Sequence, residues 1–363
     1  MENSLTPARG EKRTQRDNSP GALYAPKTSF IRHNQTGMSW ASRAQYYRRI
    51  LGAYLTPGTS QLTFWHDEPE RNFRAIGAGV GPYYMRFQRK ADYAGPHDTA
   101  GIPMLDYRGH IGRQYNPIAI AQWGLGNFDL YEETGDAVRR QKFMAAADWL
   151  RDNLEQNARG VWVWNHHFDW EYRTPLKAPW YSGLAQGQGI SLLLRAHRAT
   201  KDESYMQAAV QAFVAFQQDV ADGGVALTDA RGNLWFEEYI VSPPTHILNG
   251  FLWASWGVYD YWLATNEIAA CELFDRATKT IAENLYNYDL GFWSLYEQSG
   301  TKLPMVASPF YHRLHIVQLQ IMHEMTGRSV FREYSERWQG YEENPAGRAR
   351  ALCYKSVFKL CYY

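Results

Sequence analysis

The chain has 363 residues, a formal net charge of +1 and 15% aromatic residues, with 14 Trp and 25 Tyr. That length allows one large domain or two smaller ones. Near-neutral charge leaves no electrostatic footprint for nucleic acid or an acidic membrane, so neither is expected as a partner. Cys271, Cys353 and Cys361 are odd in number and lack metal-type spacing, which argues against a disulfide framework and fits a reducing compartment. The first residues lack the apolar core of a signal peptide, and no apolar run is long enough to span a bilayer. A cytoplasmic protein is expected.

Residues 1–37, polar and rich in Pro, Gly, Arg and Asn, read as a flexible arm. In the N-terminal region 38–116 a helix is predicted from Ser39 to about Leu55, followed by loops and short strands. The clearest strand there is YYMRF, Tyr83–Phe87. From Pro117 helical patterns come in pairs: 117–133 with 136–156, 183–199 with 203–221, 245–265 with 267–286, and 309–326 with 329–341. Short connectors join them: ETGD, ATKDE, ATNE and MTGRS. Their threonines, Thr134, Thr200, Thr265 and Thr326, are 66, 65 and 61 positions apart. Antiparallel hairpins at one period predict a mainly α fold, an incomplete α/α toroid of four helical hairpins over 117–341; a plain bundle is the alternative, which the equal periods and connectors disfavour. The tail, 342–363, carries no readable role.

In such a toroid the short connectors share one end, and the long segments 157–182, 222–244 and 287–308 share the other. Each long segment reads as an aromatic-rich β-hairpin. Trp162, Trp164, Trp180, Tyr181, Trp235, Tyr239, Trp293 and Tyr296 should therefore crowd one face, some packing on helix ends and the rest lining a cleft. The stretch Asn233–Gly250, NLWFEEYIVSPPTHILNG, carries Glu237, Glu238 and Tyr239 on a strand broken by Pro243 and Pro244, with Thr245 as a candidate helix N-cap. It reads either as a site or as a solvated surface hairpin. The small, polar helix start Ser182–Gly189 offers Gln186 and Gln188 to hydroxyls or a carboxylate, or serves close helix packing through its glycines. Tyr311 falls in a first helical turn, where the helix N-terminus favours nearby negative charge. His312 and His315 have metal-compatible spacing but no evident third ligand, so no metal is expected. His166 and His167 read as structural.

WYSGLAQGQGISLLLRA (Trp180–Ala196), FEEYIVSPPTHILNGF (Phe236–Phe251) and SPFYHRLHIVQLQ (Ser308–Gln320) resemble the helical domain of the D-glucuronyl C5-epimerase family. So do IPMLDY, NPIAIAQWGL and FREYSERWQGY, in the same order, over roughly residues 100–341. The resemblance implies conversion of D-glucuronate to L-iduronate within a heparosan-like polymer, with no cofactor. Carried over, Tyr311, Tyr239, Glu238 and Tyr296 are the catalytic candidates. Tyr107 stands where the family has a substrate-binding glutamine, Asn116 where it has a tyrosine, and Ser299 where animal members have an arginine. Tyr115, Trp180, Tyr181, Gln186, Gln188 and Arg313 complete the substrate-binding candidates. No β-sandwich fits between Leu125 and Asn157, so the chain looks like a compact, bacterial-type member. The resemblance and the N-terminal arm are compatible with a homodimer.

Hydrogen at C5 of a uronate is α to a carboxylate and weakly acidic, so inversion needs two acid–base groups on opposite faces of the ring and a cation for the carboxylate. Tyr311 is assigned to one face and Glu238 with Tyr239 to the other. Arg313, Arg173, Lys177, Arg108 and Arg113 are candidates for the carboxylate, each also readable as a surface charge. The rivals are a polysaccharide lyase, a glycoside hydrolase drawing a second carboxylate from Asp169 or Glu297, and a non-catalytic glycan-binding protein.

Overall fold

The computed structural model describes residue 48 and residues 61–362, leaving out 171 and 173. The arm 1–37, most of the helix expected over 39–55, and Arg173 lie outside the described residues. Short elements come first: α1 (Gln61–Trp65), α2 (Gln88–Ala91), and the antiparallel pairs β1 (Glu70–Arg71) with β2 (Met85–Arg86) and β3 (Leu105–Asp106) with β4 (Arg113–Gln114). The strand expected over Tyr83–Phe87 shortens to Met85–Arg86. The Tyr83 amide donates instead to the buried Asp129 carboxylate at 2.8 Å, and Phe87 is already the N-cap residue of α2.

Four helical hairpins follow. They are α3 (Pro117–Thr134) with α4 (Ala137–Asp152), α5 (Gly183–Thr200) with α6 (Glu203–Gln217), α7 (Leu248–Thr265) with α8 (Ile268–Asn284), and α9 (Pro309–Thr326) with α10 (Ser329–Glu343). The first helix of each pair packs on the first helix of the next, α3 on α5, α5 on α7 and α7 on α9. α5 is buried along its length from Gly183 to Ala196, whereas α10 buries only Phe331, Ser335 and Trp338. This is an incomplete α/α toroid with the more buried helices inside.

All four short connectors fold by one local chemistry. Thr134, Thr200, Thr265 and Thr326 each donate a hydroxyl hydrogen bond to the carbonyl four residues back, at 2.6 to 2.9 Å. The same oxygen accepts from the amide of Asp136, Asp202, Glu267 or Arg328. Between them Gly135, Lys201, Asn266 and Gly327 turn with φ of 57 to 70°, and their amides close the helix ends. Asp136 and Asp202 then cap the following helix with their carboxylates.

The long segments form small sheets at the other end: β5 (Glu155–Gln156) with β6 (Trp162–Val163), and β7 (Ala226–Thr228) with β8 (Leu234–Phe236). The third is joined by single bridges, Asp289 to Ser294 and Leu295 to Val306. Trp164, Trp235 and Trp293 seal helix ends: the Trp164 indole donates to Leu150, Trp235 stacks on His246, and Trp293 stacks on His312. The tail forms α11 (Pro345–Tyr362), which packs on α10 and buries Ala351 and Phe358.

α5 and α7 meet backbone to backbone. A Cβ on Gly187 would lie 2.6 Å from the Ala254 Cα and 2.8 Å from the Trp253 carbonyl. Neither is a flexible side-chain tip, so Gly187→Ala must push the helices apart. Thermal unfolding of that variant should reveal a loss of roughly 1–3 kcal/mol, the cost typical of overpacking. An unchanged midpoint would mean the two helices are free to separate.

Candidate functional site

The chain reverses direction between β8 and α7, and this turn builds one wall of a cavity. Successive side chains of extended backbone point to opposite sides. Glu237 turns away and pairs with His246 Nδ1 at 2.5 Å, while its backbone holds Gly183 and Val225. Glu238 points into the cavity. His246, at φ 46°, is further fixed by Tyr288, whose hydroxyl donates to its carbonyl at 2.6 Å. Thr245 is not the N-cap expected for α7: its carbonyl accepts from the Gln298 amide at 2.7 Å, and the N-cap position falls to Ile247. Gly250, in the first turn of α7, makes room for Glu238, because a Cβ there would sit 2.1 Å from its Oε2. Asn249 donates towards the same oxygen at 3.5 Å.

The cavity has a volume of about 310 Å³, and its wall includes Glu238, Tyr239, Tyr296 and Tyr311. Rings link these groups. Tyr296 and Tyr311 meet edge to face at 4.8 Å, and Tyr239 lies 4.6 Å from Tyr172 and 5.7 Å from Trp180. Ser308 caps α9 by accepting from the Tyr311 amide, which puts Tyr311 in the first turn. Asn116 does two jobs: its carbonyl oxygen caps α3, and its amide donates to the Tyr107 hydroxyl at 2.7 Å. Tyr107 packs on Phe168 at 4.6 Å and on Trp170 at 5.5 Å.

Burial sets the electrostatics. It pushes the Glu238 carboxyl up to about 8; a hydrogen bond from Tyr239 pulls it back, and the charges of Glu297 and Glu237 add to the rise. Burial, reinforced by the Glu238 charge, raises the Tyr239 and Tyr296 hydroxyls well above the ordinary phenol value. Both therefore stay protonated near neutral pH and act as donors. Tyr172 donates a very short hydrogen bond to Glu297.

Seven of the sequence candidates line the cavity: Tyr107, Asn116, Trp180, Glu238, Tyr239, Tyr296 and Tyr311. Five do not. Tyr115 donates to Asp98 at 2.7 Å and packs on Trp149. Tyr181 reaches the Gly224 carbonyl. Gln186 is spent on the backbone of Trp162, Trp164 and Ala212, tying a hairpin to the helices. Gln188 lies behind the wall and accepts from Gln122, which does line it. Arg313 leans outward to Glu342 and Glu68. Lys177 is likewise paired with Asp169 at 2.5 Å, and Arg108 and Arg113 are exposed. His312 and His315 are buried against Ser294, and His312 also accompanies the Trp338 carbonyl. Among the described residues no group of three or more His, Cys, Asp and Glu is placed to hold a metal ion. No described helix is long and apolar enough to cross a membrane.

The family model described as D-glucuronyl C5-epimerase C-terminus matches residues 156–340, which include Glu238, Tyr239, Tyr296 and Tyr311. The chain belongs to that family. A D-glucuronyl C5-epimerase of Caenorhabditis elegans is 34% identical over 217 residues, covering 55% of this chain and 34% of that protein. An uncharacterized protein of Methanocaldococcus jannaschii is 29% identical over 180 residues, covering 49% of this chain and 57% of that one. The chain thus spans about a third and somewhat over half of the lengths of these relatives. Among solved structures, cellobiose 2-epimerase from Spirochaeta thermophila aligns with a TM-score of 0.47 at 12% identity, over 84% of this chain and 86% of that one.

Several cavity residues lie outside the matched segment or escaped the motifs. Trp65, His66 and Lys90 come from the short N-terminal elements, and Lys355 comes from α11. No local pattern sets Lys90 apart from a surface lysine, because its aromatic neighbours Phe64 and Trp65 lie about 25 positions earlier in the chain, in α1. Tyr172 and Asn249 were equally silent, the first in a loop and the second in an otherwise apolar helix start.

Proposed function

We propose that this chain inverts C5 of D-glucuronate to L-iduronate within a glucuronate-containing, heparosan-like polysaccharide. The observation that carries this reading is the meeting of Glu238, Tyr239, Tyr296 and Tyr311 in one aromatic-walled cavity. A base takes the C5 proton, and its electron pair moves into the C5–C6 bond to form an enediolate. An acid on the other face returns a proton to C5. The Glu238–Tyr239 couple serves one face and Tyr311, backed by Tyr296, serves the other. A carboxyl near 8 is a base matched to neutral pH, because useful catalytic groups titrate near the working pH. Tyr239 and Tyr296, kept protonated by burial, are donors to the developing enediolate. Tyr107, Trp170 and Trp180 give apolar faces on which sugar rings stack.

The same proton abstraction begins a lyase reaction, which goes on to expel the C4 substituent. A hydrolase would use a second carboxylate such as Glu297. Incubation with heparosan, followed by NMR of the products, separates these. An epimerase yields iduronate signals in chains of unchanged length. New chain ends with an unsaturated uronate would replace the proposal with a lyase, and new reducing ends without unsaturation would replace it with a hydrolase.

A further inference from the structure

We propose that Lys90 is the group that receives the carboxylate of the bound uronate. This rests on the reading of the cavity as a glucuronate site and assigns the one chemical need that Glu238 and the tyrosines leave unmet.

Three observations carry it. First, no arginine is among the described residues lining the cavity; its lysines are Lys90 and Lys355. The arginines whose partners are described near this face are already engaged, Arg313 with Glu342 and Glu68, and Arg89 with Asp67. Second, Lys90 is buried, yet among the described residues no carboxylate lies within ion-pair distance of it. Its ammonium donates to the Phe64 carbonyl at 2.7 Å and sits 4.5 Å from the Phe64 ring centroid, with Trp65 and Phe87 at 5.6 and 5.7 Å. An ammonium has three donors, and the faces of rings stabilise it less than a carboxylate does. A buried cation held this way is costly to leave unpaired, and an entering carboxylate relieves that cost. Third, the location suits the reaction. His66, beside Lys90 and affected by its charge, stands edge-on to Tyr311 at 6.4 Å. The cation thus stands near one of the two proposed proton carriers, where it can neutralise the negative charge that the enediolate adds at C6.

Lys355 is the weaker candidate. It donates to the Val306 carbonyl at 2.6 Å and is only half-buried on α11.

The titratable and charged groups around Lys90 are His66 and Asp67 from the segment after α1, and Arg89, Asp92 and Tyr93 on and after its own helix. Glu238, Tyr311 and Lys355 line the same cavity. Burial lowers the ammonium to about 7, against which the Asp67 charge acts upward. The free protein therefore presents the charged form below about 7 and loses it as pH rises above. Affinity for a carboxylate should follow the same direction.

The test is calorimetric binding of heparosan and of the same polymer with its carboxyls reduced to alcohols, to the whole chain and to Lys90→Met and Lys90→Gln, beside the NMR exchange reaction. The unsubstituted protein should prefer the carboxylate polymer and lose that preference as pH rises past about 7. Both variants should bind heparosan about thirtyfold or more weakly, the loss expected on removing one partner of a buried charge pair. They should bind the reduced polymer as the unsubstituted protein does, which also certifies their fold. Equal affinity of the variants and the unsubstituted protein for heparosan overturns the assignment of Lys90 while leaving the epimerase reading intact. Loss of carboxylate preference in the variants, with no C5 exchange by the unsubstituted protein, keeps Lys90 and overturns the epimerase. Failure of the unsubstituted protein to bind either polymer overturns both.

Discussion

Tyr311→Phe should reduce C5 hydrogen exchange by about a thousandfold, within the range that one positioned acid–base group contributes. The substitution removes a single oxygen. The ring keeps its edge-to-face contact with Tyr296 at 4.8 Å and its packing on Phe310 and His66. The Ser308 cap engages the residue 311 amide, not its hydroxyl, so the start of α9 should persist. The variant should therefore unfold at nearly the same temperature and still bind the polymer. Exchange at the unsubstituted rate would remove Tyr311 from the chemistry. A collapse of the fold would instead make its hydroxyl structural.

Glu238→Gln should also cost about 10²- to 10⁴-fold in exchange, by the same reasoning. It carries a second signature in stability. The folded carboxyl is raised from the ordinary 4.5 to about 8, chiefly by burial. Folding therefore favours its protonated form. That contribution is fully present below about 4.5 and is lost as pH rises through about 8. Glutamine has no such group. The variant should thus match the unsubstituted protein in acid, and its melting temperature should pull ahead as pH rises towards 9. A stability difference independent of pH would mean that Glu238 is better solvated than its place behind Gly250 implies. A variant that kept full exchange would move the base elsewhere, with Glu297 the next carboxylate to replace.

How much of this was legible depends on whether the cause was local. The four connectors were, because a threonine and a left-handed residue are read from consecutive residues, and the structure uses them in all four. The hairpin partners within 117–341 followed from them. The start of α7 was not legible. Thr245 looks like a cap in sequence, but the Gln298 amide from the next hairpin takes its carbonyl, and the Glu237–His246 pair bends the chain. The opposite facing of Glu237 and Glu238 follows from strand geometry, and that of the paired His246 does not.

The site was partly legible for the same reason. Glu238, Tyr239, Tyr296 and Tyr311 sit in recognisable motifs. Gln186 sits in one too, but three backbone groups of the neighbouring hairpin and helix consume its amide. Arg313 shares a turn with Tyr311, yet the helix places it on the outer side, next to Glu342. Lys90 owes its environment to rings from α1 and to a fold that closes over it, and three consecutive letters cannot encode that.

The most direct measurement is deuterium incorporation at C5. Heparosan incubated with the protein in deuterium oxide is recovered, and its uronates are examined by NMR. Removal of the proton from one face and return from the other predicts deuterium at C5 of the newly formed iduronate and, as the reaction reverses, of glucuronate as well, in chains of undiminished length. Uronates recovered with no deuterium at C5 and no iduronate, or label accompanied by chain cleavage, would contradict the account.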